Sequence, residues 1–180
     1  MHIFITPFEI IGITNYNSFN SVIKKSIGYI VLFAPGIFIF HFLEEAPGFV
    51  SWFNSHVNAD ITTELFWNVN ISALVITLLV VLIEFFAPSF ISVSLVVLWF
   101  SFLIFANVLL HITGSLVDQT YTPGLITAIF LYLPYYLLII ARIIKTKRMN
   151  AGFLAGFAFF GSLPMLIHGY MILFLGDRLF

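Results

Sequence analysis

The sequence predicts an all-α fold, a polytopic bundle of about five transmembrane helices. Of its 180 residues, 61% are hydrophobic and only 8% are charged, whereas a soluble domain carries about a quarter charged residues. So little polar surface cannot cover an exterior that faces water, and the exterior is therefore expected to face lipid. One span needs about 20 mostly apolar residues, so this length holds five or six spans and no separate soluble domain.

Five apolar runs divide the chain, and the breaks between them carry turn-forming or basic residues. A proline marks each of the first three breaks, and the basic stretch 145–148 marks the fourth. Residues 1–26 are expected to form an N-terminal segment in the membrane interface, and residues 27–180 a single transmembrane domain. The predicted spans are residues 27–45, 61–86, 90–113, 124–145 and 152–175.

The distribution of charge predicts the orientation in the membrane. With five spans, six of the seven Lys and Arg residues share one side, and only Arg178 falls on the other. Because basic residues favour the cytoplasmic side, the N-terminus is predicted inside and the C-terminus outside, in a multi-pass protein of the cell membrane. A net charge of −1 gives no electrostatic case for binding nucleic acid. The chain has no cysteine, which excludes thiolate ligands and cysteine nucleophiles.

Polar side chains collect towards the outer membrane face of this predicted bundle. The first span ends with His41, Glu44 and Glu45, so the imidazole can share a helix face with either carboxylate. Ionisable side chains inside a span are costly and are functional candidates by default. The later spans and the connection before the fourth add polar groups at a similar predicted depth: Asn70, Asn107, His111, Tyr121, Thr127 and His168.

The order of these residues resembles the HXXEE family of bacterial integral membrane proteins. The features that carry the resemblance are the HxxEE pattern at 41–45, Asn70, the Asn107-xxx-His111 pair, and residues 121–128, which are similar to the family's YxPGxxTA stretch. The resemblance covers most of the chain and implies a small multi-span protein, without an established activity. The stretch HFLEEAPGFVSW also resembles emopamil-binding-type sterol isomerases, in which a Glu and a His move a proton across a double bond.

The leading hypothesis is an intramembrane enzyme that acts on a lipid or another apolar substrate. Catalytic zinc sites combine three protein ligands with an open position, and the candidate ligands for such a divalent metal are His41, Glu45, His111 and His168. His41, Glu44 and Glu45 are the candidate catalytic residues, since a carboxylate that does not bind the metal can act as a general base. The supporting polar residues are Asn70, Asn107, Tyr121 and Thr127. The expected partners are the lipid bilayer and a lipid-like small molecule.

Two alternatives stay open. In a metal-free enzyme, Glu45 and His41 would shuttle a proton between them. In a non-enzymatic protein, the same polar groups would bind a small ligand or handle protons or a solute, since intramembrane His and Glu also occur in proton relays. His168 is as well explained by a structural partner as by a metal. Analysis of the metal content of the purified protein would separate the metalloenzyme from the other two.

Several other side chains have a simpler structural interpretation. Glu84, at the inner end of the second span, is expected at the membrane interface. The Gly152-xxx-Gly156 spacing permits close helix packing. An aromatic belt at the interface is predicted for Trp52, Phe53 and Trp67.

Overall fold

The computed structural model describes residues 27–58 and 60–179, and every regular element in these ranges is helical. The predicted all-α fold is therefore confirmed. The predicted interfacial segment, residues 1–26, lies outside the described residues.

Six helices follow one another in the described part of the chain. They are α1 (Tyr29–Glu45), α2 (Phe49–His56), α3 (Thr63–Phe86), α4 (Phe90–Asp118), α5 (Leu125–Lys145) and α6 (Ala151–Leu175). The last four are each long and apolar enough to cross a membrane. Helices α1 and α2 are bent by 67° at the break between them, and they supply a fifth span if the pair is counted as one. The bundle is thus that of a multi-pass membrane protein, and its orientation stays a prediction.

Short polar residues fix where the long helices begin. The side chain of Thr62 accepts a hydrogen bond from the backbone N–H of Leu65 at the start of α3. Ser89 and Ser92 form a reciprocal capping box at the start of α4. Such caps satisfy backbone donors that a helix leaves without partners, which matters most where water is scarce.

Helix α4 is the central element of the bundle. In the most apolar 18-residue segment of α4, 61% of the residues are buried, against 28–33% in the corresponding segments of α3, α5 and α6. Val93, Val96, Val97 and Phe100 of α4 are completely buried. The surrounding helices expose many large apolar side chains, as expected of surfaces that face lipid. The buried face of α4 can therefore enclose a polar group, as it does for the completely buried His111.

Helices α4 and α6 approach closely at Gly161. A Cβ atom at this position would lie 2.4 Å from the backbone oxygen of Leu98, so only glycine fits. The predicted packing motif does not make this contact, because a Cβ at Gly152 would meet only Asn150 and a Cβ at Gly156 would meet nothing within 4 Å. Within the bundle, the close contact in this span therefore lies at Gly161 and not at Gly152 or Gly156. Packing of these two glycines against a second chain, which their spacing also permits, stays a prediction.

Glu84 is completely buried within the protein, while its predicted depth at the membrane interface stays a prediction. Its carboxylate accepts hydrogen bonds from the backbone N–H of Ile27 (3.0 Å) and from the hydroxyl of Ser92 (2.6 Å). The guanidinium of Arg148 donates to both oxygens, at 2.9 and 3.2 Å. Four donors therefore satisfy this carboxylate. They tie the end of α3 to the start of α4, to the residues before α1 and to the connection between α5 and α6.

The prediction of an aromatic belt at the interface is wrong for Trp52 and Phe53, which are buried. Trp52 and Phe53 of α2 are 8% and 3% exposed and pack in a second apolar cluster with Leu110 and Ile172. The indole N–H of Trp52 donates to a carboxylate oxygen of Asp118 at 2.7 Å. The bend after α1 turns α2 back onto the bundle, which buries rings that a straight span would have left at the interface.

Candidate metal centre

Three side chains from two helices meet inside the bundle. His41 and Glu45 lie one turn apart on the buried face of α1, and His111 reaches the same point from the central helix α4. One ligand atom from each residue lies within 4.8 Å of the other two. His41 and His111 are completely buried, and Glu45 is 5% exposed. We call His41, Glu45 and His111 the triad.

The two distances from Glu45 to the imidazoles of the triad suit ligands around one small ion. Oε1 of Glu45 lies 3.3 Å from Nε2 of His41 and 3.0 Å from Nε2 of His111. In a tetrahedral zinc site with metal–nitrogen distances of 2.0–2.1 Å, neighbouring ligand atoms are about 3.3 Å apart. The residue types suit zinc, since imidazole and carboxylate are among its usual ligands.

Three of the four imidazole nitrogens of the triad lack a hydrogen-bond partner in the described part of the chain. Among the described residues, Nε2 of His41 and both ring nitrogens of His111 are buried without a hydrogen-bond partner. The Glu45 oxygen is near enough to two of them but does not lie in hydrogen-bonding geometry. A buried polar atom without a partner costs about 1–3 kcal/mol. The triad therefore fits a metal ion, which would satisfy Nε2 of His41 and one ring nitrogen of His111 together.

A chain of hydrogen bonds fixes the tautomer of His41. The Thr127 hydroxyl donates to the carboxylate of Glu44, so its oxygen accepts from Nδ1–H of His41 at 2.8 Å. With the proton on Nδ1, the lone pair of Nε2 faces Glu45. Histidine ligands of metals usually donate their other ring N–H in this way, which orients the ring and raises its basicity.

Glu44 holds Thr127 in place beside His41, but its carboxylate does not reach the triad. Its carboxylate accepts hydrogen bonds from the backbone N–H groups of Ile126 (3.0 Å) and Thr127 (2.7 Å) at the start of α5. It also accepts from the hydroxyl groups of Tyr121 and Thr127. Burial and the neighbouring Glu44 raise the pKa of Tyr121 to about 12, so the phenol stays a donor. The structure thus separates Glu44 from the candidate catalytic carboxylate, Glu45.

Gly124 presses the connection before α5 against the triad. Its φ angle of 95° lies in the left-handed region that favours glycine. A Cβ atom here would lie 2.7 Å from Cε1 of His111, 2.8 Å from Cγ of Glu45 and 3.0 Å from Cε1 of His41. The glycine of the predicted Pro-Gly turn is therefore also part of the wall around the triad.

Three π-helical turns adjoin the polar residues of the site. They are Ser101–Ala106 before Asn107, Ala128–Tyr132 after Thr127, and Met171–Leu175 after His168. A π-helical turn changes the direction of the side chains that follow it, and such turns are frequent at functional sites. No feature of the sequence predicts these turns, because regular α-helical spacing is the expectation along each apolar run.

Tyr132 was missed from the sequence and lies next to the triad. Its ring centroid is 4.0 Å from that of His41, and its buried hydroxyl has no hydrogen-bond partner among the described residues. It lies in an apolar run with other tyrosines, where a lipid-facing or interfacial ring is the simplest expectation. In the sequence, its place near the site was indicated only by its position five residues after Thr127, on the span that packs against His41.

A cavity of about 220 Å³ borders the triad. His41 and Glu45 belong to its wall, and most of the rest is aromatic and aliphatic. Asn107 lines it with a side-chain oxygen that has no hydrogen-bond partner in the described part of the chain. The amide of Asn70, also in the wall, donates to the Phe66 carbonyl of its own helix at 2.9 Å. Substrate-sized apolar space therefore lies directly beside the candidate metal ligands.

His168 lines the same cavity but is not part of the triad. The group of ligand atoms within 4.8 Å contains three of the four predicted ligands and does not include it. Its Nδ1 accepts the backbone N–H of Leu179 at 3.2 Å, and its ring stacks on Phe53 with centroids 6.2 Å apart. Of the predicted support residues, Thr127 and Tyr121 act through Glu44, while Asn107 and Asn70 belong to the cavity wall.

A family model described as "Protein of unknown function with HXXEE motif" matches residues 32–139, and the chain therefore belongs to this family. The matched region contains the whole triad and the support from Glu44 and Thr127, and it ends before His168. Comparisons with curated proteins and with solved structures give no match.

Proposed function

We propose that the chain is an intramembrane metalloenzyme that acts on a lipid-like or other apolar substrate. The observation that carries the proposal is the meeting of His41, Glu45 and His111 at the wall of an apolar cavity. We place the protein in the cell membrane with this site towards the outer leaflet. The six-to-one distribution of Lys and Arg supports that placement.

The triad would hold a divalent metal such as zinc through Nε2 of His41, a ring nitrogen of His111 and a carboxylate oxygen of Glu45. When bound, the ion would supply Lewis acidity towards a substrate oxygen and make a nucleophile available from water at neutral pH. Three protein ligands leave room for a substrate or water, as in catalytic zinc sites.

The remaining side chains bind and orient. The apolar walls of the cavity exclude water and accept a hydrocarbon portion of the substrate, which strengthens every electrostatic contact at the triad. The unpaired oxygen of Asn107 can accept a hydrogen bond from a substrate hydroxyl or amide. Glu44, engaged by four donors, positions Thr127 and His41 and is not available as a general base.

Metal analysis tests this proposal. The protein, purified in detergent, is treated with a chelator, reconstituted with zinc, desalted and measured by mass spectrometry of the element. We expect about one zinc per chain in the wild type and loss of this zinc in His111→Ala and Glu45→Gln. His56→Ala is the matched control, because His56 is a partly buried histidine that pairs with Asp118 outside the triad. A wild type that retains no metal, or a His111→Ala variant that retains it fully, would refute the metal centre.

One observation favours a second candidate, a metal-free acid–base enzyme. Oε1 of Glu45 lies 3.0 and 3.3 Å from two imidazole nitrogens beside the cavity, so a small rotation that aligns a hydrogen bond would let a proton pass between carboxylate and ring. The resemblance to emopamil-binding-type sterol isomerases suits this chemistry. Catalysis by metal-free protein, lost in Glu45→Gln, would favour this candidate over the metalloenzyme.

A further inference from the structure

The C-terminal end of the described chain is fixed beside the cavity. Helix α6 ends at Gly176, whose φ angle of 66° lies in the left-handed region. The carbonyl of Gly176 accepts the N–H of Asn58 at 3.1 Å, and the N–H of Asp177 donates to the carbonyl of Met171 at 3.2 Å. The N–H of Leu179 donates to His168 in the cavity wall. These bonds on both sides of Arg178 hold its backbone in place.

Arg178 is the one Lys or Arg residue in the wall of this cavity, as far as the chain is described. It is partly buried, and none of the ion pairs within 4.0 Å in the described residues involves its guanidinium. Its neighbour Asp177 accepts a hydrogen bond from the Arg178 backbone N–H, at 2.8 Å. The other charged residue of the wall, Glu45, belongs to the triad. As far as the structure describes the chain, the cavity therefore presents one cation that has no ion pair within 4.0 Å.

This arrangement specifies the chemistry of a ligand. A guanidinium has a planar set of donors that matches a carboxylate or a phosphate, and the pairing is stronger beside an apolar cavity than in water. The cavity of about 220 Å³ exceeds the roughly 150 Å³ engineered cavity that accepts benzene. One hydrocarbon chain or ring fits such a space.

We infer that the cavity binds a single-chain amphiphile whose anionic headgroup, a carboxylate or a phosphate, pairs with Arg178 while its chain extends towards His41 and Glu45. This inference names the substrate class of the proposed enzyme and rests on the proposed function for the role of the triad. The headgroup contact itself does not require a metal.

Binding of matched probes tests the inference. Decanoate, decyl phosphate and decanol are titrated into the purified protein in an uncharged detergent, with displacement of a fluorescent fatty acid as the signal. We expect the wild type to prefer an anionic probe over decanol by roughly ten- to hundred-fold, as for a hydrogen bond to a charged group. The relative affinities of decanoate and decyl phosphate then identify the headgroup.

In Arg178→Gln the preference should disappear while the affinity for decanol stays the same, which also shows that the cavity is intact. Arg178→Lys should keep part of the preference, because the charge remains without the planar donors. Lys147→Gln, at an exposed lysine after α5, is the matched control and should behave like the wild type. An undiminished preference in Arg178→Gln would overturn the inference.

The two proposals fail separately. A preference that persists in Arg178→Gln but is lost in His111→Ala or after metal removal would place the headgroup on the triad, which overturns the role of Arg178 and supports the metal centre. A preference that depends on Arg178 in a protein that binds no metal would support the inference and refute the metalloenzyme.

Discussion

Replacing Gly124 by alanine should damage the triad directly. The added Cβ would lie within 3.0 Å of all three of its residues, His111, Glu45 and His41, and the backbone has a φ angle of 95°. The left-handed conformation costs a non-glycine residue about 1–2 kcal/mol, and forcing a carbon into a packed site costs about 1–3 kcal/mol, together about 2–5 kcal/mol. If the whole cost is subtracted from the free energy of zinc binding, the zinc affinity falls by roughly 30- to 4,000-fold.

Zinc affinity is measured by competition with a chromophoric chelator, and stability by thermal unfolding in detergent. Gly161→Ala is a steric control outside the site, since its Cβ would meet the backbone oxygen of Leu98 at 2.4 Å, and it should lower stability while the folded protein keeps its zinc affinity. Gly156→Ala has no atom within 4 Å and should leave both unchanged or raise stability slightly. A Gly124→Ala protein that binds zinc and unfolds like the wild type would refute the proposed wall of the site.

Three further predictions concern other parts of the molecule. Thr127→Val removes the hydroxyl that orients His41 and should weaken zinc binding about 10- to 100-fold, whereas Thr127→Ser keeps the hydroxyl and should bind zinc like the wild type. Equal zinc affinities of Thr127→Val and the wild type in a chelator titration would argue against this role of the hydroxyl. Glu84→Gln leaves Arg148 beside a neutral amide and should cost about 3 kcal/mol of stability with no loss of zinc, as thermal unfolding and metal analysis would show. Reporter fusions after Arg148 should be cytoplasmic and fusions at Ser55 or Gln119 external, and the reverse pattern would contradict the predicted orientation.

The fold was predictable because the membrane imposes a strong constraint on the sequence. Backbone groups in lipid must be paired within a helix, so long apolar runs leave little choice of structure. The bend between α1 and α2 was less visible, since Pro47 marks only a break and not the direction in which the chain continues. The burial of Glu84 depends on Arg148, a partner 64 residues away, and spacing along one helix cannot reveal such a pair.

The sequence indicated that His41, Glu45 and His111 lie at a similar depth, but it did not indicate the different contacts of Glu44 and Glu45, the place of His168 outside the triad, or Tyr132 beside it. Glu44 and Glu45 are neighbours in the same motif, and each was equally able to share a face with His41. In a helix, adjacent side chains diverge by about 100°, so Glu45 turns inward to His111 while Glu44 turns towards α5. Which of the two faces the interior depends on the position of α5, and the sequence alone does not give that position.

The contrast between Glu84 and the triad strengthens the case for an external ligand. Both groups are buried in the same bundle, yet the Glu84 carboxylate receives four hydrogen bonds from protein, while three imidazole nitrogens of the triad receive none from the described residues. Native proteins pair nearly all their buried polar atoms, and each exception calls for an explanation. The other ring nitrogen of His41, Nδ1, does have a partner, the hydroxyl of Thr127 at 2.8 Å. Among the described residues, three of the six buried side-chain atoms without a hydrogen-bond partner belong to the triad, and this concentration supports the proposed site for an ion or a substrate.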